Sequence, residues 1–230
     1  MLSIILVIIS LIFLYLSKAK LSTEFSHLIH RFGGNRNSLI IFWSTIFLPG
    51  TVIHEMSHFL FAILTGARTG NIEIFPRFLE EDCEKEEKDS GVILGSVQTQ
   101  KLNLFQGFMV GTAPFIVGIT LLIWLASMIQ ASYESSAIYM LLFQGYLFFT
   151  ISNSFFPSWT DIKQVLPLTV VVLIVIILSW IIGLKVVLSP NSQLIVISNM
   201  ISSVAFVSAF VDIIMVIFLL SVRKTFGRRR

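Results

Sequence analysis

The segment His54-Glu55-Met56-Ser57-His58 sets three ionisable side chains within five residues, inside an apolar stretch running from Ser38 to Thr65. The sequence reads FWSTIFLPGTVI before it and FLFAILTGA after it. Apolar surroundings penalise such groups unless each is paired or bound to something. The spacing points to the partner. Histidines four residues apart lie one helical turn apart on one face, so both imidazoles reach a single ion, with the glutamate beside them to handle a proton. His-Glu-x-x-His is the pattern by which a helix holds a catalytic zinc, with His54 and His58 as ligands and Glu55 as general base.

The setting of this motif is a membrane. With 55% hydrophobic and 13% charged residues over 230 positions, and a mean hydropathy of +0.88, the chain is too apolar for a soluble domain of its length. A helix needs about 20 residues to cross the hydrocarbon core, and the apolar blocks number about six, leaving little for a soluble domain. The expectation is an all-α multi-pass protein of the cell membrane, a single domain over residues 1–230, in contact with lipid throughout. Cys83 is the only cysteine, so no internal disulfide and no thiolate cluster is available, and a metal must use histidine and carboxylate. The net charge of +3 is more than accounted for by Arg223, Lys224, Arg228, Arg229 and Arg230. Juxtamembrane cations fix topology and touch lipid headgroups, and nothing here points to nucleic acid.

Taken in order, Leu2–Leu16 is an apolar run without a basic n-region or a small-x-small cleavage site, and it reads as a retained helix rather than a signal peptide. Lys18–Asn37 reads as a polar connection, with His27 and His30 as surface histidines. The second apolar segment, Ser38–Thr65, is broken by Pro49-Gly50 one turn before His54, where the helix is expected to kink or restart. Within the polar region Gly66–Asn103, Asn71–Phe75 and Gly91–Thr99 read as short strands flanking an acidic run, Glu80–Asp89, giving a small hairpin-like β element between helices 2 and 3. Leu104–Ile129 is a third helix whose Gly107-x-x-x-Gly111, Pro114 and Gly118 suit close packing. A fourth helix, Ala137–Ile151, ends in SNSFFPSWTD; Leu166–Leu188 and Leu194–Val222 follow, separated by Ser189-Pro190-Asn191.

Catalytic zinc takes three protein ligands and leaves a position open for water. Outside the polar region, the remaining candidates are Glu24, Glu134, Asp161, Asp212, His27 and His30. Asp161 is the choice, because it follows Asn153 and Pro157 at an interruption where backbone can bend toward a buried ion. Asp212, deep in the last helix, is either part of the mechanism or an acid satisfied by Ser202, Ser208 or Asn199.

HEMSH in an apolar helix, a strand-like segment, a small-residue helix and then Asn153-x-x-x-Pro157-x-x-x-Asp161 resembles the site-2 protease family of intramembrane zinc metalloproteases. The resemblance covers about Leu39–Lys163, the three-helix core of that family, with helices 2–16, 166–188 and 194–222 as peripheral additions. It implies zinc held by His54, His58 and Asp161, Glu55 as the catalytic acid-base, and Asn153 holding the substrate strand. Ile162 stands where the family usually has glycine. The implied reaction is hydrolysis of a peptide bond within or next to a transmembrane segment of a membrane-protein substrate, captured at a sheet edge. A zinc transporter or sensor using the same ligands is the alternative, and Glu55, superfluous as a ligand, speaks against it. For topology, six crossings and a cytoplasmic basic tail put both termini and the acidic loop inside. The cations Lys18, Lys20, Arg31 and Arg36 then face outward, against the usual bias.

Overall fold

The computed structural model describes residues 2–31, 41–42, 44–73, 96–99, 102–182 and 192–227. Among them are the helices α1 (Leu2–Arg31), α2 (Leu48–Leu64), α3 (Leu104–Glu134), α4 (Ile138–Ser154), α5 (Trp159–Ile181) and α6 (Ser192–Gly227), with strands β1 (Thr69–Glu73) and β2 (Ser96–Thr99) between α2 and α3. Four helices, α1, α3, α5 and α6, are long and apolar enough to cross a membrane, and α2 is a shorter apolar helix. The protein is thus nearly all helical, with the composition of a membrane protein.

Several boundaries differ from those expected. α1 continues past Leu16 to Arg31, since no glycine or proline interrupts residues 2–31, so the polar connection expected from Lys18 is largely helix. Its acid is paired: Glu24, buried, meets Lys20 at 2.9 Å and Arg223 of α6 at 2.8 Å. α5 begins at Trp159 rather than Leu166, started by Ser158 and Asp161, each capping the other's backbone N–H. β1 stands two residues earlier than the expected Asn71–Phe75, β2 covers the described end of the expected Gly91–Thr99, and the two pair antiparallel, Thr69 opposite Thr99 and Glu73 opposite Ser96. The connection over residues 74–95 lies outside the described residues, as do the acidic run, residues 189–191 and residues 228–230, so a two-stranded ladder is described rather than a hairpin.

The direction of each helix follows from its contacts. α2 and α3 are antiparallel, with His58 beside Val110 and Thr65 O accepting from Gln106 Nε2 at 3.0 Å. As α3 ascends through Gly107, Gly111 and Gly118, its neighbours descend through Gln164, Asp161 and Phe155. Through these contacts the end of α4 and the start of α5 run antiparallel to α3. α1 and α6 run parallel: Phe13 packs near Phe206, Ser17 bonds Asp212 and Glu24 pairs with Arg223. The C-terminal ends of α1 and α6 therefore lie together, and β1 leaves α2 at the opposite end, since α4 runs parallel to α2 and antiparallel to α6.

The glycines of α3 have the packing role that their spacing predicts. A Cβ on Gly111 would lie 2.7 Å from Val165 Cγ2 and 2.9 Å from Asp161 O, closer than a real methyl tolerates. Gly111→Ala is expected to destabilise the protein by about 1–3 kcal/mol through overpacking, whereas Gly145→Ala, with nothing within 4 Å of the added carbon, should hold or raise stability, by up to about 1 kcal/mol. Thermal unfolding in detergent micelles checks both, and a Gly111→Ala protein as stable as its parent would contradict the packing described.

Candidate metal centre

The helix α2 presents His54 and His58 on one face, and the start of α5 brings Asp161 against them. The ring nitrogens His54 Nε2 and His58 Nε2 lie 3.2 Å apart. His58 Nε2 is 3.1 Å from Asp161 Oδ1, and His54 Nε2 is 3.6 Å from Asp161 Oδ2. Two histidines and one acid that sequence places on different helices thus form a single group able to hold a metal ion.

The other nitrogen of each ring decides what the near ones can do. His54 Nδ1 donates to the Ser154 carbonyl at 2.7 Å and His58 Nδ1 donates to the Val110 carbonyl at 2.9 Å. A carbonyl only accepts, so both Nδ1 atoms carry hydrogen, and in the neutral rings both Nε2 atoms are bare lone pairs. Two lone pairs and a carboxylate facing one another repel unless a cation sits between them. The spacing suits one: ligand atoms about 2.0–2.1 Å from a tetrahedral zinc lie about 3.3–3.4 Å from each other. The donor set, imidazole nitrogens and one carboxylate with no sulfur, is one that zinc accepts, and histidines braced at Nδ1 by backbone carbonyls are characteristic of metal sites.

Asp161 is held as firmly. Its Oδ2 accepts from Ser158 N at 2.6 Å and Ser158 Oγ at 2.7 Å, leaving Oδ1 directed at His58. Ser158 was not singled out from the sequence, although Ser158-x-x-Asp161 has the form of a capping box. The Ser154 carbonyl is free for His54 because α4 ends at Ser154, and the last carbonyls of a helix have no partner within it.

Glu55, only 7% exposed, follows His54 on α2 and makes no hydrogen bond among the described residues, so its oxygens are open to a water. Asn153, buried on α4, donates from Nδ2 to Phe149 O at 3.0 Å and to Asp212 Oδ1 at 2.8 Å. Ser17 Oγ donates to the other oxygen of Asp212 at 3.0 Å. The partners expected for Asp212 are therefore corrected: Ser202 and Ser208 turn their hydroxyls to their own helix, at Ser198 O and Val204 O, and the parallel pairing of α1 with α6 supplies Ser17 instead. Neither Glu134, exposed beside Gln130, nor the exposed His27 joins the cluster; the side chain of His30 lies outside the described residues.

The chain matches no family model, no curated protein and no solved structure.

Proposed function

We propose that the chain is an intramembrane zinc metalloprotease that hydrolyses peptide bonds within or next to transmembrane segments of other membrane proteins. The observation that carries this reading is the convergence of His54 Nε2, His58 Nε2 and the Asp161 carboxylate at tetrahedral spacing, with the buried Glu55 beside them, where a short apolar helix meets the start of one long and apolar enough to cross a membrane. His54, His58 and Asp161 would hold the zinc, which supplies Lewis acidity toward a carbonyl and acidifies water. The Glu55 carboxylate takes the proton of the attacking water and returns it to the leaving amide nitrogen. Ser154 O and Val110 O keep the histidines in the binding tautomer, and Ser158 keeps Asp161 aimed. Both Nδ2 hydrogens of Asn153 are engaged, so Asn153 offers a substrate strand its Oδ1, an acceptor for a backbone N–H.

The test is purified protein in lipid vesicles, loaded with one equivalent of zinc and given a panel of single-span substrates. Cleavage that stops on chelation and returns with zinc supports the reading; a fully loaded protein that cleaves none of them shifts the assignment to zinc transport or sensing.

Lys20 and Arg223 meet at Glu24 toward the C-terminal ends of α1 and α6, with Lys224 following on α6, and the positive-inside bias assigns that end to the cytoplasm. β1 and β2 then lie toward the opposite side. A C-terminal tag reached by a membrane-impermeant label from outside intact cells would reverse this orientation.

A further inference from the structure

α3 carries a proline in its interior, Pro114, which is fully buried. In a regular helix the N–H of residue 114 would bond the carbonyl of residue 110. Proline has no N–H, and its ring crowds the carbonyl four residues before it. The carbonyl so released is that of Val110, a residue only 2% exposed. Water cannot readily satisfy it there, and an unpaired buried carbonyl is costly. It is satisfied by His58 Nδ1, at 2.9 Å.

We infer that Pro114 is a positioning residue for the metal centre: by withholding a backbone hydrogen it frees the Val110 carbonyl to fix the tautomer and orientation of His58. The inference rests on the metal-site reading above but not on proteolysis. Nothing about proline as a packing element requires this pairing, since Gly107, Gly111 and Gly118 already provide the close approach of α3 to the α4–α5 passage. The Ser154 carbonyl that braces His54 is also one left over at a helix irregularity. Both orienting carbonyls thus come from places where the helical ladder is interrupted.

The two roles predict different outcomes. If Pro114 only shapes the helix, replacing it with a better helix former should leave metal binding alone. If it frees the carbonyl, Pro114→Ala restores an N–H that competes with His58 for Val110 O, and the ligand loosens. Cobalt(II) serves as the probe, because its visible d–d absorption reports ligand geometry. In Pro114→Ala, cobalt affinity is expected to fall about tenfold, the lower end of what loss of a ligand's outer partner costs. The cobalt spectrum should change, while thermal stability of the metal-free protein is unchanged or higher. Pro114→Gly, which restores the same N–H without a side chain, should weaken cobalt binding similarly. Pro167→Ala, the corresponding change inside α5, should not alter it. Retention of the parent affinity and spectrum by both Pro114 variants overturns the inference, as does failure of the parent protein to bind cobalt. A parent that binds cobalt without cleaving any substrate, while Pro114→Ala binds it more weakly, leaves the inference standing and removes only the protease reading.

Discussion

Replacing Glu55 by glutamine is expected to give a stable, zinc-loaded and inactive protein. Glutamine has the size of glutamate but cannot accept and return a proton at neutral pH, and general acid-base catalysis contributes about a hundred- to ten-thousand-fold to such reactions. Cleavage should fall by that factor. Zinc content should not change, because the ligand atoms are those of His54, His58 and Asp161. Stability should hold or improve, since a buried charge without a hydrogen-bonding partner among the described residues is replaced by a neutral amide. Metal analysis, thermal unfolding and cleavage on one preparation separate these effects. Cleavage within about tenfold of the parent would remove Glu55 from the proposed role, and loss of zinc together with activity would make it a ligand instead.

Asp161→Ala is the second large effect, and it acts twice. The change deletes one of three ligands, so zinc affinity should drop by more than the roughly 10- to 100-fold that loss of an outer partner costs. It also removes the acceptor for Ser158 N and Ser158 Oγ, and losing such a helix start costs about 0.5–2 kcal/mol. Asp161→Asn distinguishes the two. The amide oxygen can still accept from Ser158, so the metal-free protein should be nearly as stable as the parent, while the lost negative charge still weakens zinc binding. If Asp161→Ala binds zinc as tightly as the parent, the third ligand lies elsewhere, and Asp212 is the next carboxylate to replace.

How much of this was legible beforehand depends on the range of the signal. The histidine pair of the candidate metal site was readable because His54 and His58 are local: one helical turn joins them and the motif is contained in five residues. Asp161 was readable by elimination, since few carboxylates stand outside the polar region. The carbonyls that brace the rings were not, because they belong to apolar residues or helix ends whose side chains carry no message. What sequence does record is the irregularity behind them, Pro114 four residues after Val110 and the capping serine four residues after Ser154. The direction in which α4 passes into α5 was not legible for a related reason: Pro157 and the polar residues around it mark a break, and only packing against Gly107, Gly111 and Gly118 shows which way the chain leaves it. The partners of Asp212 were beyond reach, since the pairing with Ser17 joins residues nearly the whole chain apart.

The attachment of α5 has a consequence for assembly. Beyond its first turns this helix is exposed on every side, from Val170 to Ile182, and its contacts are chiefly with α3. What joins its start to α2 is the Asp161 carboxylate facing two histidines across a gap that a cation would close. An ion bound only when the helix is docked would add its binding free energy to the seating of α5, by mass action about 2.7 kcal/mol at a free concentration a hundred times its dissociation constant. In a metal-poor compartment the same chain would carry the same α5 with one fastening fewer, so the supply of the ion would also bear on how completely the protein is put together.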